Sequence, residues 1–434
     1  MDSPQPHADD EPQPDAAPPA DESQPIPTTP LAFVTPDSPG IGGIIKQRET
    51  DFLVEELPLY ETSGTGEHLY LCVEKRNATT SDVVRRLAKL FNVRRSSIGF
   101  AGLKDRHAVT RQHFSIHLPG KEKLDALTLE QFKHLPYGLL WAHRHNNKLQ
   151  RGHLAGNRFI INVRDTPISS VIAAKKTLDH LQRVGVPNYL GPQRFGYRGD
   201  NNKLGSLLLK RDFQGFLDLF LGSPMPHESR DAFDARAAFE AGDLATALSL
   251  WPRRLPFHRQ ALDLLRQGKT PEQTVRAIEQ DHRKFLVSAT QGSIFNRTLD
   301  RRVRDGLLTT LVPGDLAFKH DNGAVFAVDH DTAAIENAPD GRVAKLEVSP
   351  SGPMWGAKMT RAAEQVDQSE LQALLDEGLT LDDLAHDDAL DLAPGLRRSM
   401  RVSVTDAEVS AVPTSMAPSS GLRSRSRAAR LRPS

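Results

Sequence analysis

Ile98-Gly99-Phe100-Ala101-Gly102-Leu103-Lys104-Asp105-Arg106-His107-Ala108-Val109-Thr110-Arg111-Gln112-His113-Phe114-Ser115-Ile116-His117-Leu118 is the stretch on which the reading of the chain turns. It begins with a short apolar run that ends in a glycine turn. At its far end Phe114, Ile116 and Leu118 alternate with Ser115 and His117, the period of a half-buried strand. Residues 104–111 therefore fall on a loop between two strands, with one carboxylate, Asp105, set between the cations Lys104 and Arg106. Neighbouring positive charge favours an ionised carboxylate, and a partly dry pocket keeps it reactive toward an electrophilic carbon. A surface salt-bridge cluster is the commoner role of such a triplet, so the spacing alone does not decide the chemistry.

Upstream, residues 51–56 and 69–74 read as strands on either side of the glycine-rich turn Ser63-Gly64-Thr65-Gly66. Thr80-Ser81-Asp82 has the character of an N-cap, and Val83, Val84, Leu87, Leu90 and Phe91 follow at helical spacing, which predicts a helix of about three turns. Downstream, Phe159, Ile161 and Val163 alternate as a strand, and a helix from about Ile168 ends at Gly185. Interleaved strands and helices predict a mixed α/β (α+β) architecture. From Pro187 the chain turns to Gly- and Asn-rich turns and then to Leu-rich and Ala-rich helical stretches at 204–221 and 235–250, the mark of a second domain. The Ala-rich stretch has the look of one helical hairpin, without a longer repeat.

The 434 residues, 38% apolar and 25% charged, suit a globular protein of two domains. One cysteine, Cys72, excludes an intramolecular disulfide and a thiolate metal cluster. Without a signal-like N-terminus or an apolar span of about 20 residues, the reading is cytoplasmic. The net charge of zero hides an asymmetry: residues 1–45 hold eight acidic and no basic residues, whereas 75–165 hold 18 Lys or Arg against six Asp or Glu. The basic region suits a polyanion. Arg85, Arg86, Lys89, Arg94, Arg95, Arg111, Arg144, Lys148 and Arg151 are candidates for a phosphate track. Eleven prolines in residues 1–40 predict a disordered acidic tail. His113 and His117 share a strand face without a carboxylate pair, so no metal site is expected.

Residues 99–112 resemble the signature of the tRNA pseudouridine synthase D (TruD) family. Gly64-Thr65-Gly66-Glu67-His68 and Gly156-Asn157-Arg158-Phe159 resemble two more of its blocks. The segment from Gly185 through Asn188, Tyr189, Gln193, Arg194, Phe195 and Gly196 is similar to the family's long signature, and Ser288 to Gln291 with Phe295-Asn296, and Ser349 to Gly356, follow in family order. The resemblance implies a pseudouridine synthase catalytic domain with a mixed sheet over residues 41–184, interrupted by a family-specific insertion domain at 185–402, and RNA in a basic cleft between them. It implies isomerisation of a uridine in tRNA, typically at position 13, without metal or organic cofactor. Asp105 would be the nucleophile, Phe52, Asn157 and Phe159 the base pocket, and Lys46 and Lys104 contacts to phosphate or to Asp105. A base taken out of its stack needs an aromatic surface and amide hydrogen bonds. The alternative is that Phe52 and Phe159 are core residues and Asn157 closes a turn.

Residues 403–434 depart from the family. Val409 to Ser434 carries five arginines and no acid, and the closing strand with its Gly-x-Tyr/Phe-Ala-Thr motif is not found. This end is expected to be disordered, the product of an altered reading frame or terminus. A non-catalytic tRNA-binding protein or RNA chaperone is accordingly the second reading. A hydrolase using Asp105 and a histidine is the third, without a nucleophile elbow or paired carboxylates to support it.

Overall fold

A computed structural model describes residues 30–35, 37–38, 40–120, 125–411 and 430–431. The described residues divide into two compact units, one formed by residues from 33 to 186 with 401–411 and 430–431, the other by 187–400 with 30–32. Most of the acidic tail, residues 1–29, and the arginine-rich segment 412–429 lie outside the described residues.

The first unit runs β1 (Phe52–Pro58), β2 (His68–Arg76), α1 (Thr80–Phe91), β3 (Ile98–Phe100), β4 (Val109–His117), α2 (Asp125–Phe132), β5 (Gly138–His145), β6 (Leu154–Ile161) and α3 (Ser170–Val184). Its eight-stranded sheet has the order Val404–Thr405, Arg430–Leu431, β6, β1, β4, β2, β5, with β3 also against β4. β1 and β4 are parallel and β1 and β6 antiparallel, so the sheet is mixed as expected. Within the C-terminal remainder expected to be disordered, residues 404–405 and 430–431 pair in this sheet, the latter beside Arg158 and Asn157 of β6.

α1 starts where its capping chemistry dictates. Thr79 accepts from the Asp82 backbone N–H, and the Asp82 carboxylate accepts from Thr79 N, a reciprocal capping box one residue earlier than the sequence suggests. Asn92, left-handed at φ 50°, ends the helix. Val83, Val84, Leu87 and Phe91 pack against Leu69, Leu71, Val73, Phe114 and Ile116, which covers one face of the sheet. Each large side chain so buried contributes about 1.5–3 kcal/mol. β4 begins at Val109, so the loop expected over 104–111 ends at Ala108, and Thr110 and Arg111 belong to the strand.

The second unit is organised on one long helix, Gln280–Arg304, and a four-stranded sheet in the order Leu396–Ser399, Val348–Met354, Leu316–Lys319, Val325–Ala327. Gly205 lets the helix Asn201–Leu209 close on the long helix, because a Cβ there would lie 2.3 Å from Leu286 O. The stretch read as one helical run over 204–221 is two helices. Arg211 at φ 57° breaks it, and Asp212 caps Phe213–Leu221 through Gly215 N. The Ala-rich stretch, read as a helical hairpin, is two helices, Arg230–Glu240 and Leu244–Leu250, with Gly242 at φ 79° between them.

Two half-buried histidines belong to this helical core. His258 stacks on Phe220 with centroids 3.8 Å apart, and His282 stacks on Phe257 at 4.5 Å. Burial pushes both below the usual imidazole range, His282 to about 4. With the folded value below the unfolded one, the unfolded chain takes up more protons as pH falls from about 6.5. The unit should therefore lose up to about 3 kcal/mol from His282 alone between pH ~6.5 and ~4. Urea melts of the wild type and His282→Phe at pH 7 and pH 5 check this: the acid-induced loss should be smaller in the variant.

Candidate active site

The segment before β1 is fixed first. Gly43, at φ 92°, leaves room for a backbone approach that a Cβ would block at 2.5 Å from Arg164 O, and Ile44 pairs with Arg164 beside it. Arg164 then grips the buried Asp51 carboxylate with Nε at 2.7 Å and Nη2 at 2.6 Å. This bidentate hydrogen bond holds Asp51 below the ordinary carboxylate range. Between these two clamps Lys46 adopts the left-handed region at φ 57°, strained for a residue with a Cβ. Its Nζ lies 3.0 Å from Asp105 Oδ2 and 4.4 Å from the centroid of the Phe52 ring.

The loop that carries Asp105 is held along its length by side chains of β2, α1 and β4. Gln112 donates to Gly102 O at 2.6 Å, and Thr80 Oγ1 accepts from Lys104 N at 3.1 Å while donating to Gln112 Oε1. Lys75 donates to Asp105 O at 2.9 Å and to Ala78 O at 2.7 Å. The Asp105 side chain remains 41% exposed, so a backbone clamped from below presents a carboxylate open to a substrate.

Period-2 alternation brings Phe52, Val54 and Glu56 of β1 to one face, opposite Ile161, Phe159 and Asn157 of β6. Phe52 and Phe159 meet edge to face at 6.0 Å. The Glu56 side chain is 1% exposed, yet it sits 2.8 Å from Lys104 Nζ and 3.3 Å from His113 Nδ1. Burial pushes Glu56 up; the His113 hydrogen bond and the Lys104 charge outweigh it, and the net position is below the usual carboxylate range. Lys104 also donates to Asn157 Oδ1 at 2.7 Å, which leaves the amide nitrogen of Asn157 as the group able to donate elsewhere.

All six residues singled out from sequence lie in this unit: Asp105, Lys46, Lys104, Phe52, Asn157 and Phe159. The structure links Asp105 to Lys46, Lys46 to Phe52, Phe52 to Phe159, and Lys104 to Asn157. Lys104 is turned inward onto Glu56 and Asn157. The sequence reading missed Glu56, Lys75, Thr80, Gln112 and His113 as supports. The signal for Lys75 was present: it extends the row Leu69, Leu71, Val73 as a charged residue at an otherwise apolar alternation.

Among the phosphate-track candidates, Arg85, Lys89, Arg94 and Arg95 are exposed. Arg86 lies over the Tyr137 ring and Arg151 over Phe100. Arg144 is buried and donates to Gly66 O and Leu118 O, and Arg111 is paired with Glu74 and Glu55. Among the described residues no group of His, Cys, Asp and Glu is arranged to hold a metal, and no helix is long and apolar enough to cross a membrane.

The family model for tRNA pseudouridine synthase D (TruD) matches residues 31–419. Among curated relatives, the tRNA pseudouridine synthase D of Syntrophotalea carbinolica is 38% identical over 374 residues, covering 86% of this chain and 91% of that protein. Its counterpart from Geotalea daltonii is 37% identical, covering 87% of this chain and 92% of the relative. A crystal structure from Methanosarcina mazei, assigned to the same family, superposes with a TM-score of 0.70 at 26% identity, over 86% of this chain and 87% of that one. The mixed sheet is thus that of a pseudouridine synthase, and the chain belongs to the TruD family.

Proposed function

We propose that this protein isomerises uridine to pseudouridine in tRNA, at position 13, with Asp105 as the nucleophile and without metal or organic cofactor. The observation that carries the reading is the open Asp105 carboxylate on a clamped loop, held by Lys46, whose ammonium also lies against Phe52 of the Phe52–Phe159 pair. The isomerisation breaks the bond from C1′ to N1 of the base and makes a bond from C1′ to C5; N1 gains a proton and C5 loses one. One fragment must be held while the other turns, and a carboxylate bonded transiently to C6 of the base or to C1′ does this. Lys46 keeps the carboxylate oriented. Phe52 and Phe159 offer an aromatic surface to the displaced base, and the amide nitrogen of Asn157 donates to a uracil carbonyl. Exposed cations on and after α1 contact phosphates, giving salt-dependent affinity.

Residues 41–184 are the larger part of the catalytic domain in this reading, and 185–402 the insertion domain. The protein works in the cytoplasm. The experiment is pseudouridine mapping by carbodiimide-dependent reverse-transcription stops on transcribed tRNA with uridine at position 13, beside the same tRNA with that base replaced by cytidine. A stop at position 13 confined to the first transcript supports the reading; a stop elsewhere moves the target, and none in either removes the activity. In the same assay Phe52→Ala is expected to lower kcat/KM by about 5- to 150-fold, the loss of about 1–3 kcal/mol of base stacking.

A further inference from the structure

Lys75 is the most unusual side chain near the site that the reaction itself does not use. It lies on β2 opposite Thr110 of β4, on the face where Leu69, Leu71 and Val73 form the core beneath α1, and it is 0% exposed. An apolar side chain would continue that row without the desolvation of an ammonium, which is costly unless paired. Here Nζ donates to Ala78 O at 2.7 Å and Asp105 O at 2.9 Å. The first carbonyl belongs to the turn that starts α1, where Asn77 is left-handed at φ 46°; the second belongs to the residue read as the nucleophile.

We propose that Lys75 is a positioning residue for the reaction: by holding the Asp105 and Ala78 carbonyls it sets the plane of the peptide from which the Asp105 carboxylate projects. The proposal rests on the assignment of Asp105 as nucleophile. Side chains elsewhere fix the loop at Gly102 and Lys104, and Lys46 fixes only the carboxylate, so among the described residues Lys75 is the side chain that grips the Asp105 backbone. A displacement of about 1 Å in a reacting group costs on the order of 100-fold in rate.

Lys75 is also poised to titrate. Burial brings its ammonium down to about 8, against the charge of Asp105, which favours the protonated form; Lys104 opposes protonation and Asp82 of α1 favours it. The positive charge behind Asp105 is therefore present below pH ~8 and lost as pH rises through that value. In Asp105→Asn, the largest favourable charge is gone and Lys75 should titrate lower still.

The test combines kinetics and a direct titration. Single-turnover rates and tRNA affinity are measured for the wild type and Lys75→Met from pH 6.5 to 9.5. Lysine titrations are followed in the wild type and Asp105→Asn by NMR of protein carrying 13C at lysine Cε. The expected result is a folded Lys75→Met that binds tRNA within about threefold of the wild type, reacts about 100-fold more slowly at pH 7, and lacks the wild type's decline above pH 8. One lysine should titrate near pH 8 in the wild type and lower in Asp105→Asn. A folded Lys75→Met with near wild-type rates overturns the proposal. If Lys75→Met does not fold, the titration decides, and a lysine whose titration is unmoved by Asp105→Asn overturns it. Activity surviving in Asp105→Asn would strike the nucleophile assignment itself. Loss there, with full activity in Lys75→Met, would strike the Lys75 proposal alone.

Discussion

Lys104→Met is expected to destabilise the first unit by about 3–5 kcal/mol at pH 7, the cost of leaving a buried charge without its lysine partner. Glu56 is almost wholly buried, and Lys104 lies 2.8 Å from it. In the wild type the folded Glu56 sits below its unfolded value, so its contribution is complete above pH ~4.5 and is lost as pH falls through the folded value. Methionine removes the Lys104 charge and leaves His113 alone to oppose burial. Glu56 therefore moves up, and the variant's deficit should be largest at neutral pH and shrink on acidification as the carboxyl takes up a proton. Urea melts at pH 7 and pH 5 measure both effects, and Glu56→Gln in the Lys104→Met background should recover most of the loss. A deficit independent of pH and of Glu56 would mean that Lys104 contributes through packing alone. Because Lys104 also donates to Asn157, activity should fall in the variant even where the protein is folded.

Asp105→Asn is expected to bind tRNA as the wild type does and to form pseudouridine at least roughly 10,000-fold more slowly, a loss of about 5 kcal/mol in transition-state stabilisation. The amide keeps the shape of the side chain and its place above the Lys75-held carbonyl, but it cannot donate an electron pair to carbon as a carboxylate does. It also ends the ion pair with Lys46. That pair is partly exposed and contributes little to stability, so the variant should melt close to the wild type. Equal melting and equal affinity beside a collapsed rate would place the defect in the chemical step.

Local patterns made much of the catalytic unit legible. The alternation around Phe114, the capping of α1 and the glycine ending α3 are each decided within a few residues, and they reappear in β4, α1 and Gly185. The boundary of the Asp105 loop was misplaced because Val109, Thr110 and Arg111 enter the sheet through pairing with Arg76, Lys75 and Glu74, partners more than 30 residues away. Glu56 was hidden for the same reason. As a charged residue in a strand it reads as solvent-facing, and only the approach of Lys104 and His113 makes its burial tolerable. Arg144, read as a phosphate contact, is instead buried under two backbone carbonyls, a role that no sequence spacing signals. The family motifs supplied what local physics could not: which of many carboxylates, asparagines and phenylalanines belong together.

The measurement that bears most directly on this account is a single-turnover assay of pseudouridine formation in transcribed tRNA, mapped to the nucleotide, with wild type and Asp105→Asn at matched tRNA occupancy. The account predicts complete modification of one uridine by the wild type and none by the variant over the same time, with equal binding. Modification by both proteins at comparable rates would contradict it, since the carboxylate of Asp105 would then not be the group that attacks.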